Sequence, residues 1–182
     1  MNKDEIINDK IAELVEAVED YDLREAIRRR LKRNAHLVTG AILVDAENKI
    51  CLVQEAKGPW AGKWNVPIGH LEHAETMPNG AKREIKEETG YNVELTALLP
   101  LQNASYENVF RVLYTGKVIG GSPEERVTSD TAAVDWFTFG EIEQKFKNQE
   151  LRDIGTWHDV LLYQQSVQLP LNIIKEPEYK DP

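Results

Sequence analysis

Apolar residues recur along the first 34 positions at three- and four-residue intervals, a spacing that places them on one face of a helix. Ile7 and Ile11 begin this stripe. A second helix is predicted to begin at Asp22, because Glu25 follows three residues later in a capping-box arrangement. Residues 1–34 are therefore predicted to form a helical hairpin. Its apolar stripe must be buried, either against the rest of the chain or in a homodimer.

From residue 36 onward the pattern changes to short runs of apolar and β-branched residues, separated by polar turns that contain glycine or proline. Strands are predicted over residues 37–44, 49–54, 64–66, 92–99, 109–118 and 132–138. Helices are predicted over residues 77–89 and 140–167. The pattern thus divides the chain into an N-terminal helical extension (1–34), one main domain (35–167) and a proline-containing tail (168–182) to which no structure is assigned.

The helix predicted over residues 77–89 has clear start and stop signals. Thr76 is placed to cap the first turn through its hydroxyl, and Pro78 fits that turn because its missing N–H would be unpaired there anyway. Gly90 is placed for the left-handed conformation that commonly ends a helix. The boundaries of this helix are therefore predicted from its own residues.

The composition narrows the classes of function. The chain has 182 residues, a length typical of one domain with an appendage. Its 22 basic and 31 acidic residues give a net charge of −9, which argues against duplex nucleic acid as a partner, because phosphate backbones are bound by basic surfaces. The basic cluster at 28–33 is accordingly interpreted as a solvated helix end. No apolar run approaches the ~18 residues of a membrane span, and the polar N-terminus and single Cys51 favour a cytoplasmic protein.

Three carboxylates crowd one turn of the helix predicted over residues 77–89. At 100° per residue, Glu84, Glu87 and Glu88 fall within an arc of about 100°. Like charges at this spacing repel, and a hard divalent cation such as Mg²⁺ or Mn²⁺ relieves the repulsion because it prefers carboxylate oxygens. Arg83 lies four residues before Glu87 and can hold it in place. A solvated acidic helix face is the alternative interpretation.

The residues that flank these carboxylates match a known motif. Residues 69–91 reproduce the Nudix box at every fixed position, and the chain therefore resembles the Nudix hydrolases. The fixed residues are Gly69, Glu75, Arg83, Glu84, Glu87, Glu88 and Gly90. Two neighbouring residues depart from the usual family pattern, because Ile68 replaces a glycine and Tyr91 replaces an aliphatic residue.

The resemblance implies an α/β fold, a Nudix-type α/β/α sandwich with a mixed sheet, and a metal-dependent hydrolase. In such enzymes water attacks phosphorus in a nucleoside diphosphate linked to a further group X. By this resemblance Glu87 and Glu88 are the principal metal ligands, Glu84 is a ligand or the general base, and Arg83 orients the carboxylates. The backbone at Gly69 joins the expected Mg²⁺ or Mn²⁺ ligands, and Glu75 has a structural or a secondary metal-binding role.

Other residues are candidates for the general base and for substrate binding. The family recruits its base from different places, and the acids of the loop before residue 131 are candidates. These are Glu124, Glu125 and Asp130. The substrate is expected to contact Trp64, Tyr106 and Phe110, whose rings could stack on a nucleobase, and His70, which could contact phosphate.

The substrate class is less defined than the reaction. The stretch 53–57 (Val-Gln-Glu-Ala-Lys) is similar to the family branch that hydrolyses oxidised guanine nucleotides, and a nucleoside di- or triphosphate or an oxidised nucleotide is favoured. An ADP-sugar or dinucleoside polyphosphate is the alternative substrate. A nucleotide-binding sensor without catalysis, or an interaction protein that works through its helical hairpin, are the alternative functions.

Overall fold

The computed structural model describes residues 36–104, 109–165 and 168–173. The helical hairpin predicted over residues 1–34 lies outside the described residues, as does Tyr106. Within the described ranges no helix is long and apolar enough to cross a membrane.

The larger of two sheets is mixed and contains five strands. It is formed by β1 (His36–Leu43), β4 (Ile68–His70), β5 (Tyr91–Leu98), β6 (Gln102–Ala104) and β7 (Val109–Gly121). The strand order is β4-β1-β7-β5, and β6 pairs with the first residues of β7 beside β5. Only the pairing of β1 with β7 is parallel among these strands. β4 pairs with β1 through Thr39 and Gly69, so the start of the box is part of the sheet.

The smaller sheet contains β2 (Ile50–Glu55), β3 (Trp64–Asn65) and β8 (Thr131–Phe137) in the order β3-β2-β8, with antiparallel pairing. β3 and β4 are separated by only two residues, Val66 and Pro67. The loop that precedes the box therefore passes from one sheet to the other.

In the described ranges three α-helices cover the two faces of the sheets: α1 (Met77–Thr89), α2 (Phe139–Lys147) and α3 (Ile154–Gln164). Alternate residues of the strands point to opposite sides. In β7, Val112 packs with Ile85 of α1, whereas Leu113 packs in the cluster that contains Ile142 of α2 and Val160 of α3. This arrangement of helix, sheet and helix layers confirms the predicted α/β/α sandwich.

The helix predicted over residues 140–167 is wrong as a single element. α2 ends at Lys147, and Gln149 has a positive φ of 57° that no α-helix accommodates. α3 then begins with a new cap, in which the Asp153 carboxylate accepts a hydrogen bond from the Thr156 N–H at 2.9 Å. The segment between the helices pairs with β3 through Leu151, so sheet contacts displace the helical pattern there.

Two further segments were not predicted as structured. β6 carries Gln102 and Asn103, polar residues with no strand pattern, and forms because β7 is long enough to pair with it beyond the end of β5. In the tail, Leu169 exchanges two backbone hydrogen bonds with Leu98, of 2.7 and 2.8 Å, and a short 3₁₀ turn follows at Leu171–Ile173. The described part of the tail thus borders the larger sheet.

Candidate active site

The box helix α1 has the predicted boundaries. The Thr76 hydroxyl accepts a hydrogen bond from the Asn79 N–H, and Gly90 adopts a φ of 75°. The Thr39 hydroxyl on β1 donates to the Met77 carbonyl at 3.2 Å, which ties the start of α1 to the sheet. Buried Ala81 and Ile85 face the core. The helix therefore presents Arg83, Glu84 and Glu88 towards β4 and the loop beside it.

Arg83 organises the acidic residues of the box. Its Nε and Nη2 donate to the two carboxylate oxygens of Glu75 at 2.9 Å each, and Nη2 also donates to the His70 carbonyl at 3.0 Å. Its Nη1 donates to Glu84 Oε1 at 2.8 Å and to Glu87 Oε2 at 3.4 Å. A guanidinium carries five N–H groups, and these contacts engage all of them.

Gly69 and Glu84 approach each other more closely than any other side chain at position 69 would permit. A Cβ built on Gly69 would lie 2.2 Å from the Glu84 carboxyl carbon and 2.3 and 2.4 Å from its oxygens. The box glycine therefore makes room for a carboxylate. Partial burial raises the pKa of Glu84, although Arg83 opposes the shift.

Glu88 is bonded to the residue that precedes Gly69. Its Oε2 accepts a hydrogen bond from the Ile68 N–H at 3.1 Å. Burial raises the pKa of Glu88 well above its usual value, and the negative charges of Glu84 and Glu55 add to the effect. By contrast, the hydrogen bonds from Arg83 lower the pKa of Glu75. Arg83 thus stabilises the charged form of Glu75, whereas burial disfavours the charged forms of Glu84 and Glu88.

Ile68 and Tyr91, the two residues that depart from the family pattern, each pack against a neighbouring residue that accommodates them. Ile68 is buried, and on the adjacent β1 residue 40 is a glycine whose added Cβ would lie 2.7 Å from the Ile68 Cα. The larger side chain of Ile68 therefore still allows β1 and β4 to pack closely, because Gly40 on β1 has no side chain. Tyr91 packs at 6.0 Å from the Trp136 ring, and its hydroxyl accepts a hydrogen bond from Trp136 Nε1 at 3.3 Å.

Sequence reasoning did not include an ion pair that faces Glu88. Arg152 Nη1 lies 2.9 Å from Glu55 Oε1. Glu55 raises the pKa of Glu88 and Arg152 lowers it, so both charges lie near that carboxylate. Glu55 falls within the stretch 53–57 that had indicated a family branch, but no local signal pairs it with a residue 97 positions away.

The donor set fits a hard divalent cation. Glu84, Glu87 and Glu88 offer carboxylate oxygens, and two of them are desolvated acids that a cation would stabilise. Among the described residues, no three His, Cys, Asp or Glu side chains already converge as a metal site. Arg83 bonds Glu84 Oε1 and Glu87 Oε2, so the second oxygen of each carboxylate is left for an ion while the arginine keeps its contacts.

The three loop acids are engaged elsewhere. Glu125 forms an ion pair of 2.7 Å with Lys86, and Asp130 forms one of 2.6 Å with Lys57. A hydrogen bond with Ser122 lowers the pKa of Glu124. On α1, Lys86 lies 200° of helical rotation from both Glu84 and Glu88, at about 100° per residue. The structure therefore brings none of these acids into hydrogen-bond contact with a box carboxylate.

The predicted substrate-binding residues are spread over the domain. The Trp64 ring packs edge-on against Phe137 at 4.9 Å, with the Lys145 ammonium 5.2 Å from its centroid. The His70 ring stands edge-on to His36 at 5.7 Å. Phe110 lines an apolar cavity of about 380 Å³ on the α1 side of the larger sheet. Of the described members of this group, which exclude Tyr106, only His70 is hydrogen-bonded to the box arginine, through its carbonyl.

Comparisons with known proteins bear on the family and the fold of this chain. The model of the NUDIX domain family matches residues 34–158. The chain is 31% identical to phosphatase NudJ of Shigella boydii over 140 residues, 75% of this chain and 89% of that protein. It is 32% identical to the human 8-oxo-dGDP phosphatase NUDT18 over 111 residues, 59% of this chain and 34% of that protein. A solved NUDIX hydrolase from Nitrosomonas europaea matches with a TM-score of 0.70 at 24% identity, covering 79% of this chain and 98% of that chain.

This chain belongs to the NUDIX family, as its box had indicated. The family match begins two residues before β1 and ends within α3, so it includes both sheets, the box and the Glu55–Arg152 pair. The segment before residue 34 lies outside it. The chain spans about a third of the length of the human relative.

Proposed function

We propose that this protein is a divalent-metal-dependent hydrolase of phosphoric anhydrides, with a nucleoside diphosphate linked to a group X as substrate. The observation that carries the proposal is the arrangement of the box. Arg83 binds Glu75, Glu84 and Glu87 together, while Glu88 is held on the adjacent loop by Ile68. A solvated acidic helix face would not require such a network.

Glu87 and Glu88 would be the principal ligands of Mg²⁺ or Mn²⁺, with Glu84 as ligand or general base and the backbone at Gly69 beside them. When bound, the cation would neutralise phosphate charge and make the attacking water more acidic. Arg83 keeps Glu84 and Glu87 oriented, and the loop over Gly69 lets the Glu84 carboxylate approach the backbone. Phosphoryl transfer depends mainly on such positioning and charge neutralisation.

In the reaction, the water oxygen forms a bond to phosphorus and the anhydride P–O bond breaks. The water proton passes to a carboxylate base, and the displaced phosphate oxygen keeps the electron pair of the broken bond. Glu84 is the candidate for the base within the box, because its carboxylate lies against the backbone of Gly69 and Arg83 fixes one of its oxygens.

For the substrate, nucleoside di- and triphosphates and oxidised nucleotides are favoured. The human relative is named an 8-oxo-dGDP phosphatase, and the stretch 53–57 contributes Glu55 beside the box. Trp64, Tyr106, Phe110 and His70 remain the candidate substrate contacts. No nucleic acid duplex is needed for this chemistry.

The test is a hydrolysis screen with Mg²⁺ or Mn²⁺ over nucleoside di- and triphosphates, 8-oxo-guanine nucleotides, ADP-ribose and dinucleoside polyphosphates. Glu87→Gln is compared with Glu143→Gln, which makes the same change on α2 away from the box. Activity that needs metal, collapses in Glu87→Gln and persists in Glu143→Gln supports the proposal. Nucleotide binding without turnover of any substrate would contradict it and favour a sensor.

A further inference from the structure

Arg83 and Arg152 differ in how their N–H groups are used. All five N–H groups of Arg83 are engaged by Glu75, Glu84, Glu87 and the His70 carbonyl. Arg83 therefore has no donor left for a ligand unless this network is broken. Its role is restricted to orienting carboxylates.

Arg152 is used much less. Within the described part of the chain, its guanidinium donates one hydrogen bond, from Nη1 to Glu55 Oε1 at 2.9 Å. Its Nε lies 3.7 Å from Asp153 Oδ2, beyond hydrogen-bond distance. The side chain is 36% exposed, against 22% for Arg83. Arg152 thus has donors available and is accessible to a ligand.

The backbone holds Arg152 in a defined place. The Arg152 N–H donates to the Trp64 carbonyl at 2.8 Å, and the Trp64 N–H donates to the Glu150 carbonyl at 2.9 Å. Glu55 ends β2, and its N–H donates to the Lys63 carbonyl at 2.9 Å. Both members of the ion pair are therefore fixed by the smaller sheet rather than by a free loop.

This placement puts a cation close to the acidic residues of the box. The Arg152 backbone is bonded to Trp64 of β3, and after β3 and two further residues the chain reaches Ile68, whose N–H donates to Glu88 Oε2 at 3.1 Å. A polyphosphate that enters a site rich in carboxylates needs positive groups on more than one side. The planar fork of a guanidinium matches two phosphate oxygens at once, which an ammonium cannot do.

We propose that Arg152 is a phosphate-binding residue of this site and that Glu55 is the residue that positions it. This inference rests on the proposed function and names one residue by which the site would hold its substrate. In the free protein the Arg152 guanidinium donates one hydrogen bond to Glu55, and its remaining N–H groups donate to the phosphate oxygens of the bound substrate.

The test uses the full chain with Mg²⁺ and two probes that require no turnover: inorganic pyrophosphate and α,β-methylene guanosine diphosphate. Arg152→Gln is expected to weaken the binding of both by about ten- to a hundredfold, the range for a hydrogen bond to a charged group. Arg152→Lys is expected to be intermediate. Lys147→Gln, which removes a cation from the exposed pair with Glu143, is the matched control and is expected to leave binding unchanged.

A double variant tests whether Arg152 contacts the phosphate or only neutralises the charge of Glu55. Arg152→Gln leaves Glu55 unpaired, and its negative charge could repel phosphate. If Arg152 contacts phosphate, Glu55→Gln/Arg152→Gln still binds weakly. Recovery to wild-type affinity in the double variant would overturn the proposal, as would wild-type affinity in Arg152→Gln itself. Thermal unfolding of each variant verifies that it is folded, and Arg152→Lys preserves the test if Arg152→Gln does not fold.

Kinetics distinguish this proposal from the proposed function. If the wild type hydrolyses a nucleotide, Arg152→Gln should raise KM about tenfold or more with a smaller change in kcat. Unchanged KM in an active enzyme would defeat the role of Arg152 and leave the hydrolase proposal intact. If the wild type hydrolyses no nucleotide but binds pyrophosphate through Arg152, the hydrolase proposal fails and the phosphate-binding role of Arg152 stands.

Discussion

The carboxyl carbon of Glu84 lies where a side chain on Gly69 would begin, since an added Cβ would be 2.2 Å away. The two residues are 15 positions apart, one on β4 and the other on α1, and they meet because β4 pairs with β1 beneath the helix. The glycine of the box is thus explained by the space that a carboxylate occupies.

Gly69→Ala is expected to displace the Glu84 carboxylate and to lower hydrolysis by about ten- to a hundredfold, because small misplacements in a site reduce rates strongly. Overpacking should also cost about 1–3 kcal/mol of unfolding free energy. Gly140→Ala is the matched control, because an added Cβ there meets nothing within 4 Å. Equal activity of the two variants would contradict the steric explanation.

Arg83→Lys is expected to abolish most activity although it keeps the charge. An ammonium has three N–H groups and cannot reproduce the two-point contact with Glu75 together with the contacts to Glu84 and Glu87. Steady-state kinetics would show the loss mainly in kcat, and Arg126→Lys on the loop after β7 is the control. An Arg83→Lys enzyme with wild-type kcat would show that charge alone suffices.

Metal binding should be visible as stabilisation. At Mg²⁺ or Mn²⁺ concentrations about a hundredfold above Kd, the wild type should gain about 2.7 kcal/mol. Glu88→Gln should lose this gain, yet unfold without metal at no lower a temperature, because burial disfavours its charged form. Thermal unfolding with metal and with chelator makes the comparison, and Glu143→Gln should respond like the wild type. Equal stabilisation of Glu88→Gln would remove Glu88 from the ligands.

A buried ion pair joins α3 to the larger sheet. Asp159 is fully buried and Arg111 on β7 nearly so, and Gln102 of β6 also donates to Asp159. Arg111→Met should cost about 3–5 kcal/mol, because it leaves a buried carboxylate without its cation. The double variant Arg111→Met/Asp159→Leu should recover much of that loss. Denaturant unfolding measures both, and a double variant no better than the single would contradict the explanation.

The sequence predicted most strands to within a few residues and predicted α1 from Met77 to Thr89 as observed. It could do so for α1 because Thr76 and Gly90 are local signals that act within one turn. It failed at residues 148–153, where pairing with Trp64 interrupts the helical pattern. The roles of Tyr106 and of the helical hairpin, including homodimerisation, stay predictions.

By itself, the sequence determined the family, the box helix and the set of carboxylates, because these depend on residue types at fixed short spacings. Only the tertiary structure decided how they are used. It showed that Arg83 donates hydrogen bonds to three carboxylates. It also showed that Arg152 pairs with Glu55, 97 positions earlier, near Glu88. The physical reason is that a hydrogen bond between distant residues depends on sheet pairing and packing. The local sequence around either residue does not predict these long-range contacts.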